Sequence, residues 1–102
     1  MKDKLVIKIK IYDYELAIGQ LHNLVLEWCE STSQRYNHKN LFSVTSGDIS
    51  GIYKYIEISM KNIDFSGKTY LMYDIYNYVS YIIQTILISR NIKFDLEWKW
   101  EE

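Results

Sequence analysis

Proline is missing altogether from this chain of 102 residues, and glycine occurs only four times. With so few residues that interrupt regular backbone, most of the chain is expected in helix or strand. One cysteine, Cys29, rules out an intramolecular disulfide and any zinc site built on cysteine pairs. An excess of one charge is lacking too: Lys and Arg number 12 against 13 Asp and Glu, for a net charge of −1. Bulk positive charge is therefore not what this chain offers a nucleic acid, and only a local patch remains open to that role. Long apolar runs are also absent. The uncharged apolar stretch Tyr76–Ser89 carries Asn77, Ser80, Gln84 and Thr85 and is shorter than the ~20 residues of a helical membrane span. The N-terminal run MKDKLVIKIKIYDYEL alternates charge with hydrophobicity and has no signal-peptide core. The expectation is one soluble, cytoplasmic domain over residues 1–102.

What the chain does have is hydrophobic and aromatic content. Hydrophobic residues make up 48% and charged residues 25%, a balance that excludes intrinsic disorder. Ten tyrosines, three tryptophans and three phenylalanines bring the aromatic share to 16%. A domain of this size buries only about two-thirds of its surface, so some aromatic area must face solvent or a partner. Abundant Ile, Lys, Asn and Tyr, with two Arg and one Ala, match AT-rich codons and point to an acquired gene, such as one from a phage or mobile island.

Periodicity sets out the elements. Over Lys4–Tyr12, Leu5, Ile7, Ile9 and Ile11 point one way while Lys4, Lys8, Lys10 and Tyr12 point the other, the period of a half-buried strand. Asp13 stands where a helix N-cap belongs, ahead of a stripe formed by Tyr14, Ala17, Ile18, Leu21, Leu24, Val25 and Trp28. The polar run Glu30–Asn40 ends that helix. A short strand over Leu41–Thr45, a turn at Ser46-Gly47-Asp48 and a strand over Ile52–Met60 follow. On the last of these, Ile52, Ile56, Ile58 and Met60 share a face interrupted by Lys54, and Tyr53, Tyr55, Glu57 and Ser59 take the other. After a loop over Lys61–Lys68, a second helix is expected from Thr69 to Ser89, with Met72, Ile75, Val79, Ile82, Ile83 and Ile86 inward. A final strand alternates Ile92, Phe94, Leu96, Trp98 and Trp100 with Lys93, Asp95, Glu97, Lys99 and Glu101.

The order βαββαβ is that of the split-βαβ, ferredoxin-like fold. Right-handed crossovers then place both helices on one face of a four-stranded antiparallel sheet in the order 4-1-3-2, an α+β two-layer sandwich. The charges agree, because Lys8 and Lys10 on the first strand come beside Asp95 and Glu97 on the last. Leu24 and Ile82 are expected in the core, where truncation to Ala costs ~2–5 kcal/mol, and Trp98 is expected to be shielded.

Several local patterns touch on chemistry. Asn62–Thr69 ends in Gly-Lys-Thr between a strand and a helix, the position of a phosphate-binding loop, but Asn62 replaces the first glycine. It reads instead as a polar loop with Ser66 or Thr69 capping the helix. Tyr53 and Tyr55, two apart on one strand, resemble the base-stacking pair of the RNA-recognition module. Lys54 replaces the small residue between them, and the first strand has no central aromatic. His22 precedes Cys29 by seven residues, too far along a helix for a nucleophile and its base, and His38 lies in a polar segment. The carboxylate pairs Asp13/Glu15, Glu27/Glu30, Asp95/Glu97 and Glu101/Glu102 have no concave site to separate their pKa values. No catalytic residue, metal site or cofactor is expected, and the chain is not read as an enzyme.

The open sheet face remains. Tyr53, Tyr55, Glu57, Asp95, Glu97 and Glu101 are expected to form a partner-binding surface, with tyrosines as anchors and charges for selectivity. The functional expectation is a small protein-binding inhibitor: an immunity protein that neutralises a cognate bacterial toxin or other effector enzyme, a nuclease being one case. The alternatives are a single-stranded RNA binder and a homodimeric domain that binds a small ligand between facing sheets.

Overall fold

A computed structural model describes residues 4–13, 15–37, 41–61 and 69–101, and excludes the side chains of Lys61 and Thr69. The elements run β1 (Lys4–Tyr12), α1 (Ile18–Arg35), β2 (Phe42–Ile49), β3 (Tyr53–Lys61), α2 (Thr69–Ile82) and β4 (Lys93–Glu101). All strand pairings are antiparallel, in the order β2-β3-β1-β4, which is the expected 4-1-3-2 order read from the other edge. Ile7, Ile9 and Ile11 of β1 and Ile56, Ile58 and Met60 of β3 join Leu21, Val25 and Cys29 of α1 and Leu71, Ile75, Val79 and Ile82 of α2 in one buried cluster. Both helices therefore cover the same face of the sheet, and the chain has the α+β two-layer, ferredoxin-like arrangement. The opposite face is uncovered among the described residues.

Element boundaries differ from the sequence reading in three places, each for a local reason. Asp13 does not cap α1: its Oδ1 accepts the Glu15 amide at 2.9 Å in a turn of its own, and the helix starts after Ala17. Tyr14 lies outside the described residues. The β2–β3 turn is not at Ser46-Gly47-Asp48, which are paired strand residues, but at Ser50-Gly51-Ile52. There Gly51 takes φ +72°, a left-handed backbone that glycine adopts freely, and the Ile52 amide donates to the Ile49 carbonyl at 2.8 Å. The helical path after α2 continues through a π-helical turn over Ile83–Leu87 and a 3₁₀ turn over Ile88–Arg90, ending at Asn91 in the left-handed region.

These shifts turn the helix faces. A π turn inserts one extra residue, so the inward direction passes from Ile86, which is half-buried, to Leu87, which is fully buried. On α1 the buried stripe is Leu21, Val25, Cys29 and Thr32, which leaves Leu24 on its edge and 41% exposed. Leu24 is thus not a core residue, contrary to the expectation. Trp98 is not shielded either: it is 36% exposed, because β4 is an edge strand and α2 covers it only in part. Lys54, the break in the apolar face of β3, reaches the end of the sheet and donates to the Leu16 carbonyl at 2.7 Å, just before α1 begins. Truncating Ile82 to Ala should therefore cost about 2–5 kcal/mol, while Leu24→Ala should cost less than about 1 kcal/mol. Denaturant melts of the two variants measure the difference; equal losses would place the α1 stripe elsewhere.

Candidate functional site: the open face of the sheet

Alternation places on the open face every residue that β1, β3 and β4 do not turn toward the helices. At one end of this face Tyr12 pairs with Lys93 and Tyr53 with Ile49, and the successive cross-strand rows then read Gly47–Tyr55–Lys10–Asp95, Thr45–Glu57–Lys8–Glu97 and Ser43–Ser59–Val6–Lys99, with Lys4 and Glu101 paired beyond them. Val6 is the apolar exception in β1. It sits between Ser59 and Lys99 and is fully buried.

The tyrosines of this face are held in place. Tyr55 lies over Gly47 of the neighbouring strand, where a Cβ would stand 2.7–2.9 Å from its ring. The ring in this position covers backbone that glycine leaves bare. The Lys8 ammonium stands 4.9 Å from the Tyr55 ring centre and the Lys10 ammonium 5.2 Å from that of Tyr53. Tyr53 makes edge-to-face contacts with Tyr12 at 6.1 Å and with Tyr55 at 6.5 Å. The Tyr12 hydroxyl donates to Asp95 Oδ2 at 2.7 Å, and this bond to a carboxylate raises the phenol pKa above its ordinary value.

The carboxylates are interleaved with lysines rather than gathered into an acidic patch. Glu97 lies 3.9 Å from Lys10, and Glu101 lies 3.8 Å from Lys4 and 3.1 Å from Lys99, whose pKa the Glu101 contact raises. Glu57 faces Lys8 in register. Tyr53, Tyr55, Glu57, Asp95, Glu97 and Glu101 therefore do share one surface with Tyr12, Lys8 and Lys10, as the alternation of the strands implies, and Gly47 is a further member that the sequence had suggested as part of a turn. The only signal for Gly47 was its parity with Tyr55, which was hidden by reading the glycine as a turn.

Cavities are small at this end. A cleft of about 90 Å³ between Tyr12, Asp48, Gly51 and Tyr53 is well below the few hundred Å³ that small ligands occupy. The histidine and cysteine have other roles. His22 Nδ1 is 2.8 Å from Ser46 Oγ, a bond that ties α1 to β2, and Cys29 is buried, which pushes its thiol pKa up to about 12. A thiol kept protonated in this way is no nucleophile at neutral pH. Among the described residues, no three of His, Cys, Asp and Glu are grouped to hold a metal, and no helix is long and apolar enough to cross a membrane. His38 and most of the Gly-Lys-Thr segment, residues 62–68, lie outside the described residues. Compared with known protein families, with curated proteins and with solved structures, the chain matches none.

Two tests follow. In Gly47→Ala the Tyr55 ring must swing off the strand, while the melting temperature changes little because the displaced atoms are the free end of a side chain. NMR should show shifted Tyr55 ring resonances, and an unshifted ring would mean that it does not rest on Gly47. For Cys29, the unfolded thiol ionises near its ordinary 9 and the folded one only near 12. The stability of the wild type relative to Cys29→Ala is therefore constant below pH 9 and falls as pH rises from 9 toward 12. A difference that stays flat across that range would contradict the burial.

Proposed function

We propose that this chain is a protein-binding inhibitor that acts through its open sheet face, and more narrowly an immunity protein that neutralises a cognate bacterial toxin. The observation that carries this reading is the pinned tyrosine mosaic: Tyr12, Tyr53 and Tyr55 held against one another, against Gly47 and under the Lys8 and Lys10 ammonium groups. Ordered aromatic side chains lose little further entropy on binding, which favours tight association with a surface of matching shape. The face is broad and the cleft beside it is small, which fits a macromolecule better than a metabolite.

Charge sharpens the reading. With the lysines of β1 set beside the carboxylates of β4, the face suits a partner patterned in both signs more than one uniformly basic cleft. Base stacking on Tyr53 and Tyr55, the RNA-binding alternative, would have to displace the lysine over each ring. An inhibitor needs no catalytic group, and cytoplasmic residence belongs to the same proposal.

The test is capture from the native lysate with this chain as bait, with and without ribonuclease and at high salt. The expected result is one stoichiometric protein that survives both treatments, loses its activity in the complex, and binds Tyr53→Ala, Tyr55→Ala or Asp95→Lys at least tenfold more weakly. Recovery of RNA alone, with binding that collapses as salt rises, would overturn the inhibitor reading.

A further inference from the structure

β4 closes one side of the sheet, and among the described residues no strand pairs with its outer edge. The strand is nine residues long, Lys-Phe-Asp-Leu-Glu-Trp-Lys-Trp-Glu, and carries Trp98 and Trp100 on its helix-covered face, 36% and 40% exposed. Tyr76 of α2 leans on Trp98 with ring centres 6.5 Å apart and is itself exposed. A long edge with apolar side chains in the open is an invitation to further pairing that natural sheets normally blunt.

The order of residues along this edge names the partner. Let β4 pair antiparallel with β4 of a second copy about a two-fold axis through Glu97. Lys93 then faces Glu101 of the other copy, Asp95 faces Lys99, Phe94 faces Trp100, and Leu96 faces Trp98. All nine residues are matched: two kinds of opposite-charge pair on the open face, two kinds of apolar pair on the helix side, each made twice. The one like-charge contact is Glu97 with Glu97, and each of these carboxylates already has Lys10 of its own chain at 3.9 Å.

Neighbouring registers that keep the helices on one side do worse. An axis through Leu96 sets Lys93 against Lys99 and Asp95 against Glu97. An axis through Trp98 sets Asp95 against Glu101. A half-step axis brings open-face residues of one copy to the helix side of the other.

We infer that this chain forms a symmetric homodimer by β4–β4 pairing in the register centred on Glu97. The product is one continuous eight-stranded sheet with all four helices on one side. Trp98 and Trp100 become cross-strand core residues between the two α2 helices, and the free edges become the two β2 strands. The open face doubles in width and carries two copies of the tyrosine cluster, whatever that cluster binds.

The test is sedimentation equilibrium of the full chain at high micromolar concentration, with two charge variants. The wild type is expected at twice the chain mass. Lys93→Glu/Lys99→Glu turns four attractive pairs into four repulsive ones and should raise the dimer dissociation constant by more than about tenfold, with helical and sheet content retained by circular dichroism. Glu97→Gln removes the like-charge contact and should leave the dimer intact. With Glu97→Cys, a short bis-maleimide should link the chains through position 97, since Cys29 is buried. A monomeric wild type overturns the proposal. So does a dimer that the double variant leaves untouched, or one in which position 97 does not cross-link, since either places the interface elsewhere.

Discussion

The middle position of β1 is the constraint on which this domain depends. It is hydrogen-bonded to β3 on one side and β4 on the other, so its nine residues set the register of both neighbours. Its odd residues, Leu5, Ile7, Ile9 and Ile11, are almost wholly buried under the helices. Its even residues after Val6 are two lysines and a tyrosine, whose heads lie over tyrosine rings or against carboxylates of the flanking strands. A slip of one residue would bring Lys8 and Lys10 into the core and expose the isoleucines, a cost that holds the register in place.

The two helices meet the sheet in different ways, and the difference bears on what is left exposed. α1 is tied to its surroundings by polar contacts: His22 to Ser46, Arg35 to Asp74 at 3.3 Å, and Tyr36 to Asp74 at 2.6 Å. Between the helices, Trp28 stacks on Tyr78 with ring centres 4.2 Å apart and nearly parallel planes, and the half-buried Tyr78 hydroxyl has its pKa pushed up to about 12, chiefly by loss of solvent. α2 and the turns after it carry one acid, Asp74, between Thr69 and Ser89, and otherwise present tyrosines, small polar groups and Ile88 outward. Tyr70, Tyr73, Tyr76 and Tyr81 are exposed on that layer, so aromatic surface is displayed on both sides of the domain.

On the open face, aromatic and charged groups are matched within the face itself. Tyr55 has its glycine, Tyr12 its carboxylate, and Glu97 and Glu101 their lysines. Such a surface is packed within itself and has nearly balanced charge. Shape and the placement of three tyrosines, rather than a field of one sign, are what distinguish it from an ordinary solvated sheet.

Period-two and period-three-to-four patterns determined, by sequence alone, the order of elements, the covered and uncovered faces of the sheet, and the pairing of Lys8 and Lys10 with Glu97 and Asp95. Those patterns follow from burying one side of an element, which residue type records directly. The six residues of the expected partner surface were legible for the same reason, being on the face opposite the isoleucines. Tertiary structure alone decided the rest. Gly47 reads as a turn until the Tyr55 ring is seen resting on it; Ile86 reads as core until the π turn hands that place to Leu87; Leu24 and Trp98 read as buried until the α1 stripe and the sheet edge are located. Each of these depends on a neighbour distant in sequence or on a change of helical phase, and a pattern of apolar spacing within one segment contains neither.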